Sequence, residues 1–174
     1  MKVRFLRKTK LSVSAVCVEF KIQLTQNQET IVDAETYEWA SKLKWHAAHW
    51  KNGFYATRRK GNKGIGLHRE IMNPPEGLMV DHINGNTLDN RKCNLRICSN
   101  KENQRNQKLT ARNKSGYKGV SWHKCQDKWI ARIRVNNKLI HLGYFIDLIE
   151  GAKAYDKAAL FYYGSFANIN FPIK

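Results

Sequence analysis

Asp81-His82-Ile83-Asn84-Gly85-Asn86-Thr87-Leu88-Asp89-Asn90-Arg91-Lys92-Cys93-Asn94-Leu95-Arg96 is the stretch on which the reading of this chain turns. An acid and a histidine stand side by side at the end of an apolar run, Leu78-Met79-Val80. A loop rich in Asn, Asp and Gly follows, and these residues close turns with their own side chains. The chain returns as a second apolar run, Leu95 to Cys98, and Ser99-Asn100-Lys101-Glu102 then reads as a capping box with Ser99 at the N-cap and Glu102 at N3. The expected order is strand, loop, strand and a short helix carrying Asn103, Asn106 and Gln107.

That order brings an acid, an imidazole and an amide together. Asp81 can hold a hard divalent cation through oxygen, and magnesium accepts one or two protein oxygens while keeping its waters. Asn103 offers a neutral oxygen from the helix. His82 follows Asp81 on a strand and so points to the opposite face, which lets the two carry different tasks. A neutral imidazole takes a proton from water near neutral pH. Metal, base and a basic surface point to phosphodiester hydrolysis. A hairpin whose polar side chains only satisfied backbone groups would leave the Asp-His placement and the capped helix unexplained.

Residues 67–108 resemble the HNH nuclease motif, the ββα-metal fold, in its phage and intron homing-endonuclease form. The resemblance implies that His82 is the general base, Asp81 a metal ligand and Asn94 the residue that braces the loop. The last position of the motif is often His. Here it is Asn103, and an oxygen ligand favours Mg²⁺ or Mn²⁺ over zinc. His68, in Leu67-His68-Arg69, matches an upstream histidine of the phage members and takes a supporting or phosphate-contacting role. Arg69 and Arg96 are assigned to DNA contact. The family implies products with a 5′-phosphate and a 3′-hydroxyl.

Composition agrees with a polyanionic partner. Of 174 residues, 31 are Lys or Arg and 14 are Asp or Glu, a formal charge of +17. Nucleic acid and anionic membrane both fit that excess, but no apolar run approaches the ~20 residues of a spanning helix. Met1 to Arg7 has no long apolar core and does not read as a signal peptide. Cys17, Cys93, Cys98 and Cys125 are scattered, and the Cys93/Cys98 pair has no second close pair, so free thiols are expected rather than a zinc site. The expected compartment is the cytoplasm of a bacterial host, for a phage-encoded protein.

In the N-terminal third, Phe20 to Leu24 alternates as a strand, and Asp33 is placed to cap a helix through Tyr37, Trp39, Ala40 and Leu43. Lys44 to Ala47 and Gly53 to Arg58 read as strands and Gly61 to Gly64 as a flexible turn. His46 and His49 read as surface or packing residues, and Trp39, Trp45 and Trp50 as core. Arg58, Arg59, Lys60 and Lys63 fit a phosphate grip or a solvated basic loop equally well. Gln104 to Gly116 is polar and basic and reads as a helix end followed by a linker.

The C-terminal third predicts strands at Tyr117 to Trp122, Lys128 to Val135 and Lys138 to Phe145, with an Asn136-Asn137 turn between the last two. A two-residue turn would pair Val135 with Lys138, Ile133 with Ile140, Ala131 with Leu142 and Trp129 with Tyr144. Asp147-x-x-Glu150 starts a helix to about Tyr163, with Leu148, Ala152, Tyr155, Ala159 and Tyr162 along one side. The free sheet face is basic.

This segment resembles the plant Apetala-2/ethylene-response-factor DNA-binding domain. The residues that carry the likeness are Tyr117-Lys118-Gly119-Val120, Trp129 to Ile133, Leu142-Gly143-Tyr144-Phe145, the Ala152/Ala154-Tyr155-Asp156/Ala158-Ala159 pattern and Asn170-Phe171-Pro172. The resemblance implies DNA contacts from Lys118, Ser121, His123, Arg132, Arg134 and His141. Several plant arginines and a tryptophan are absent at these places, so the plant target sequence does not carry over.

The expected fold class is α+β: a ββα-metal nuclease module followed by a three-stranded antiparallel sheet packed on one helix. The expected division is 1–107 with its core motif at 67–107, a basic linker at 108–116 and a DNA-binding domain at 117–174. The expected protein is a site-specific DNA endonuclease of the homing type that acts on double-stranded DNA as a monomer or weak dimer. A DNA-binding transcriptional regulator with a silent nuclease domain is the alternative, and an RNA-binding accessory protein is a third reading.

Overall fold

The structure is a computed structural model that describes residues 19–50, 53–106, 109 and 113–172. The readings on Met1 to Arg7, on Cys17 and on Gln107 fall outside the described residues. The architecture is mixed α and β, built from four small antiparallel sheets and four helices among those residues.

Strands β1 (Phe20–Gln23) and β2 (Glu29–Val32) form a hairpin, with Phe20 opposite Val32. Helix α1 (Ala34–Ala40) follows. Asp33 sits at its N-cap, but its carboxylate instead accepts from the Lys92 backbone N–H at 2.6 Å. The helix stops at Ala40, so Leu43 lies beyond it and is exposed. Strands β3 (His46–Trp50), β4 (Gly53–Lys60) and β5 (Lys63–Gly66) make a second sheet in that order. The turn expected over Gly61 to Gly64 is only two residues long, because Lys63 already pairs with Lys60.

Ile22, Val32, Ala40, Trp45, Ala56 and Leu67 pack into one core. Trp45 also donates its indole N–H to the Ala40 carbonyl at 2.9 Å, which gives the buried ring its polar partner. Trp50 departs from expectation: it is 53% exposed at the strand end and leans on Tyr55. His46 and His49 are exposed, as expected. Arg58 is no loose phosphate grip, since it pairs with Glu70 and lies over the Trp45 ring; Arg59, Lys60 and Lys63 are exposed.

Helix α2 (Leu67–Met72) leads to the hairpin of β6 (Met79–His82) and β7 (Leu95–Cys98), where Asp81 faces Arg96 and His82 faces Leu95. Helix α3 (Asn100–Arg105) starts on the expected capping box: Ser99 Oγ accepts from Glu102 N–H, and the Glu102 carboxylate accepts from Ser99 N–H at 2.8 Å. The loop between β6 and β7 is stitched to β2. Ile31 N–H donates to Leu88 O at 2.9 Å, and Asn90 N–H donates to Ile31 O at 2.8 Å.

The last sheet has the order β10-β9-β8, from β8 (Val120–His123), β9 (Lys128–Val135) and β10 (Lys138–Phe145), and helix α4 (Leu148–Tyr163) covers one face. Strand β8 starts later than the sequence suggests. Residues 113–117 are folded by side-chain bonds: Asn113 Nδ2 donates to Tyr117 O at 2.8 Å, and Ser115 Oγ donates to Val120 O at 2.8 Å. The described end of the expected linker is therefore a hydrogen-bonded turn rather than a tether. Gly119 then takes φ +72°, where an added Cβ would lie 1.9 Å from Tyr155 Cδ2.

Asn136 and Asn137 adopt φ 48° and 64°, as a tight hairpin requires. The predicted register holds from Val135–Lys138 to Arg132–His141 and then slips by one. A bulge between His141 and Gly143 pairs Ala131 with Gly143, Ile130 with Tyr144 and Trp129 with Phe145. The extra residue, Leu142, packs against the core together with Phe145, while Tyr144 is exposed. On α4, Ala152, Tyr155 and Ala159 are buried as expected, but Tyr163 rather than Tyr162 packs inward. Asp156 is also buried, and its carboxylate accepts from Asn170 N–H (2.8 Å), Asn170 Nδ2 (2.9 Å) and Phe171 N–H (2.9 Å), tying the chain end to α4. Cys93, Cys98 and Cys125 are free. No described helix is long and apolar enough to cross a membrane.

Candidate active site

Adjacent positions on β6 send Asp81 and His82 to opposite sides of the hairpin, and each side chain is backed by a different part of the chain. His82 is 5% exposed and packs among His68 (ring centroids 5.2 Å apart) and Tyr55 (6.1 Å). Its Nε2 lies 3.3 Å from Asn90 Oδ1. The direction of that contact follows from the donors behind it. The Leu88 carbonyl can only accept, so Thr30 Oγ1 spends its hydrogen there at 2.8 Å. Thr30 Oγ1 is then the acceptor for Asn90 Nδ2 at 2.7 Å, which turns Asn90 Oδ1 toward the imidazole. An amide oxygen also only accepts, so His82 carries its proton on Nε2 and keeps the Nδ1 lone pair. The tautomer is thus assigned from the network.

Burial lowers the His82 pKa, opposed by Asn90 and by the charges of Asp81 and Asp89. Burial, with His82 and Arg69 adding to it, pushes His68 down to about 3. His68 is buried with its ring against that of His82. Gly66 makes room for it, since a Cβ there would lie 2.6 Å from His68 Cε1.

Removing the backing group should be visible. Asn90→Ala leaves Nε2 without its acceptor, a hydrogen bond of about 1 kcal/mol, roughly fivefold in the population of one tautomer. The ¹⁵N shifts of the His82 ring should move toward a mixture of tautomers in Asn90→Ala. Unchanged shifts would mean that Asn90 does not set the tautomer.

On the other face, Asp81 is 7% exposed. Its Oδ2 accepts from Arg96 Nε at 2.9 Å and Nη2 at 2.7 Å. Asn106, at the C-cap of α3, points its Nδ2 into a ring of oxygens: Asp81 Oδ1 at 3.1 Å, Oδ2 at 3.0 Å, His82 O at 3.0 Å and Ile83 O at 3.4 Å. Asn103, one turn earlier, turns its amide to Met79 Sδ at 3.8 Å. The geometry therefore brings Asn106, not Asn103, to Asp81. No group of three or more His, Cys, Asp or Glu that could hold a metal occurs among the described residues. An all-oxygen set with a single carboxylate, gathered around a positively polarised hydrogen, fits a hard divalent ion that keeps most of its waters.

Asn94 is buried and hydrogen-bonds within the loop. Its Oδ1 accepts from Asn84 N–H at 2.9 Å and its Nδ2 donates to Asp89 O at 2.8 Å. Asp89 is a further buried anchor. Both its oxygens accept from Arg91 at 2.7 Å, and the Arg91 hydrogen bonds hold its carboxyl below the usual carboxylate range.

Sequence reasoning gave no role to Asn90 or Thr30. Asn90 lies inside the turn-rich loop of the Asp81–Arg96 stretch, whereas Thr30 carries no local signal and reaches the site only through tertiary pairing. Arg96, read as a DNA contact, is instead tied to Asp81. Arg69 is exposed.

The residues assigned to DNA on the last sheet lie elsewhere. Arg132 and Arg134 are exposed, and His141 stands opposite Arg132 across the hairpin. Arg132 Nη2 donates to Ser121 Oγ at 3.3 Å. Tyr144 sits between the rings of His123 (5.3 Å) and His141 (4.7 Å). Lys118 is half-buried, with Nζ 3.2 Å from Arg105 O, and burial brings its ammonium down to about 8. An open cleft of about 450 Å³ runs between α3 and this sheet, with Lys101, Arg105, Lys118, Arg132 and Arg134 on its walls.

A buried imidazole lies on one face of the hairpin and a carboxylate near a ring of oxygens on the other. Residues 72–105, which hold all of that hairpin, match the family described as HNH endonuclease. Protein 3.8 of Escherichia phage T7 is 41% identical over 64 residues, 37% of this chain and 53% of the phage protein. APETALA2-like protein 2 of Oryza sativa, from subspecies indica and japonica alike, is 43% identical over 63 residues, 35% of this chain and 14% of the plant protein. The chain thus spans about half the length of the phage relative and a small part of the plant ones.

Proposed function

We propose that this protein is a site-specific DNA endonuclease of the homing type, with a nuclease module of the ββα-metal kind over 1–107 and a DNA-binding unit over 117–174. The observation that carries the reading is the Asp81–His82 pair at the end of β6, its imidazole backed for proton uptake and its carboxylate facing oxygens, inside a stretch that matches HNH endonucleases. His82 Nδ1 takes the proton of the attacking water. Asn94 holds the loop that carries Asn90 against Nε2. Asp81 would hold Mg²⁺ or Mn²⁺ with an amide oxygen from the end of α3, Asn103 by the motif, or Asn106 once its amide turns Oδ1 inward in place of Nδ2. When bound, the ion supplies charge stabilisation to the phosphate and the departing 3′ oxygen.

Double-stranded DNA is the proposed partner, and the products carry a 5′-phosphate and a 3′-hydroxyl. One such site among the described residues makes a nick the natural act of a monomer, so cutting both strands takes a dimer or two encounters. A supercoiled-plasmid assay tests the reading. Nicked circles should form with Mg²⁺ or Mn²⁺ and not with chelator. Duplex binding without nicking in either metal would favour the regulator with a silent nuclease domain.

The exposed Arg132 and Arg134, beside the exposed Tyr144, suit recognition by a sheet face. A base-reading arginine is worth roughly 1–3 kcal/mol of discrimination, whereas losing a phosphate contact lowers affinity for all sequences and reduces the salt slope by about one. Arg132→Ala and Arg134→Ala should each weaken target binding. Affinities for target and random duplex at several salt concentrations would assign each arginine. Unchanged target affinity in both variants would move recognition off this sheet.

A further inference from the structure

We infer that residues 165–168, in the turn after α4, position the Asp81 carboxylate, so that the C-terminal unit completes the nuclease site as well as binding DNA. The inference rests on the nuclease reading above. Among the described residues Asp81 has two side-chain partners, Arg96 and Asn106, and the same turn holds both from behind. Arg96 donates its Nη1 to Ser165 O, and its guanidinium lies 4.1 Å from the centre of the Phe166 ring. That leaves Nε and Nη2 aimed together at Asp81 Oδ2. Asn106, whose amide meets Oδ1, has its own carbonyl held by Asn168 Nδ2 at 2.8 Å. Nearby, Arg105 stacks on Tyr163 at 4.8 Å, which seats α3 on the end of α4.

The physical case is one of rotamer control. Arginine on a strand has a long stem and many rotamers, and most of them would not hold a carboxylate in one orientation. The Phe166 face and the Ser165 carbonyl select one, using the planar fork that lysine lacks. With Arg96 engaged on Oδ2 alone, Oδ1 is kept toward the oxygen ring of His82 and Ile83. Partners of this kind, one step removed from a ligand, are typically worth about 10–100-fold in metal affinity or activity. Phe166 and Asn168 are thus positioning residues, acting through Arg96 and Asn106.

The test uses the full-length chain. Phe166→Ala, Asn168→Ala and Phe166→Tyr are compared with wild type and with Phe161→Ala, an 80% exposed control on α4. Circular dichroism checks that each variant is folded. Mn²⁺ affinity is measured by electron paramagnetic resonance on an uncleavable phosphorothioate duplex, alongside duplex affinity and single-turnover cleavage.

Phe166→Ala and Asn168→Ala should weaken Mn²⁺ binding and slow cleavage by about tenfold, with duplex affinity within about twofold of wild type. Phe166→Tyr keeps a ring under Arg96 and should restore both. Phe166→Ala in an Arg96→Lys background should cost little more than Arg96→Lys alone. Wild-type Mn²⁺ affinity in Phe166→Ala and Asn168→Ala overturns the inference while leaving the nuclease reading intact. So does faster cleavage, which would make the contact a restraint, or a rate loss explained wholly by weaker duplex binding. A wild-type chain that binds no Mn²⁺ and cuts no duplex overturns the nuclease reading, and this inference with it.

Discussion

His82→Ala will bind duplex DNA as the wild type does and cut it about 10²–10⁴-fold more slowly, the usual cost of removing a general base. The base acts as the water attacks, so its loss is felt in the transition state rather than in docking. The ring is buried and makes a single 3.3 Å polar contact, so its removal leaves Asn90 Oδ1 short of one donor while Thr30 still holds the other end of that amide. Thermal unfolding should separate the resulting stability loss from the catalytic one.

The pH profile carries the same signature. Burial lowers the His82 pKa, and a base works in its neutral form, so cleavage should hold its plateau below the ordinary imidazole range near 6.5 and fall only at more acid pH. Single-turnover cleavage at saturating enzyme is the measurement. A near wild-type rate in His82→Ala would remove it from the role of base.

Asp81→Ala and Asp81→Asn should both abolish metal-dependent cleavage, by at least about 100-fold, the upper end of what a group acting through another ligand costs. They should differ in stability. Arg96 has a side chain only 14% exposed, and alanine leaves its charge facing no carboxylate, which typically costs about 3–5 kcal/mol for a buried pair. Asparagine keeps an oxygen for Arg96 and should cost less. Equal loss of cleavage with unequal loss of stability would tie Asp81 to chemistry rather than to folding.

Asn103→Ala and Asn106→Ala complete that comparison. Asn106→Ala should give the larger loss if Asn106 turns its Oδ1 toward the ion in place of Nδ2. Asn103→Ala should give the larger loss if α3 turns its other amide inward. Full cleavage in chelator by the wild type would end the metal assignment.

Much of the local structure could be read from residue order alone. The capping box at Ser99 and Glu102, the Asn136-Asn137 turn and the alternation along β9 are each settled by a few neighbouring residues, so their physics is complete within a short window. The Asp-His step at the end of an apolar run likewise guaranteed opposite faces, because strand side chains alternate. The bulge at Leu142 was not legible. Both registers place apolar residues opposite one another, and only the packing of Leu142 and Phe145 against α4 selects between them.

The same division holds at the candidate site. The candidates for taking a proton or holding a cation came from the residue order alone, in Asp81, His82 and Asn103. Which atoms face them was decided by distant segments. Thr30 sits on a hairpin sixty positions before Asn90, yet it orients the amide that orients the imidazole. Arg96 resembles a free phosphate-binding cation in the sequence, but its burial between Asp81 and Phe166 turns it inward. Asn103 and Asn106 are three residues apart near the end of one helix, too close for spacing to choose between them. The end of α3, held by Arg105 on Tyr163 and by Asn168 on the Asn106 carbonyl, presents Asn106 to the carboxylate.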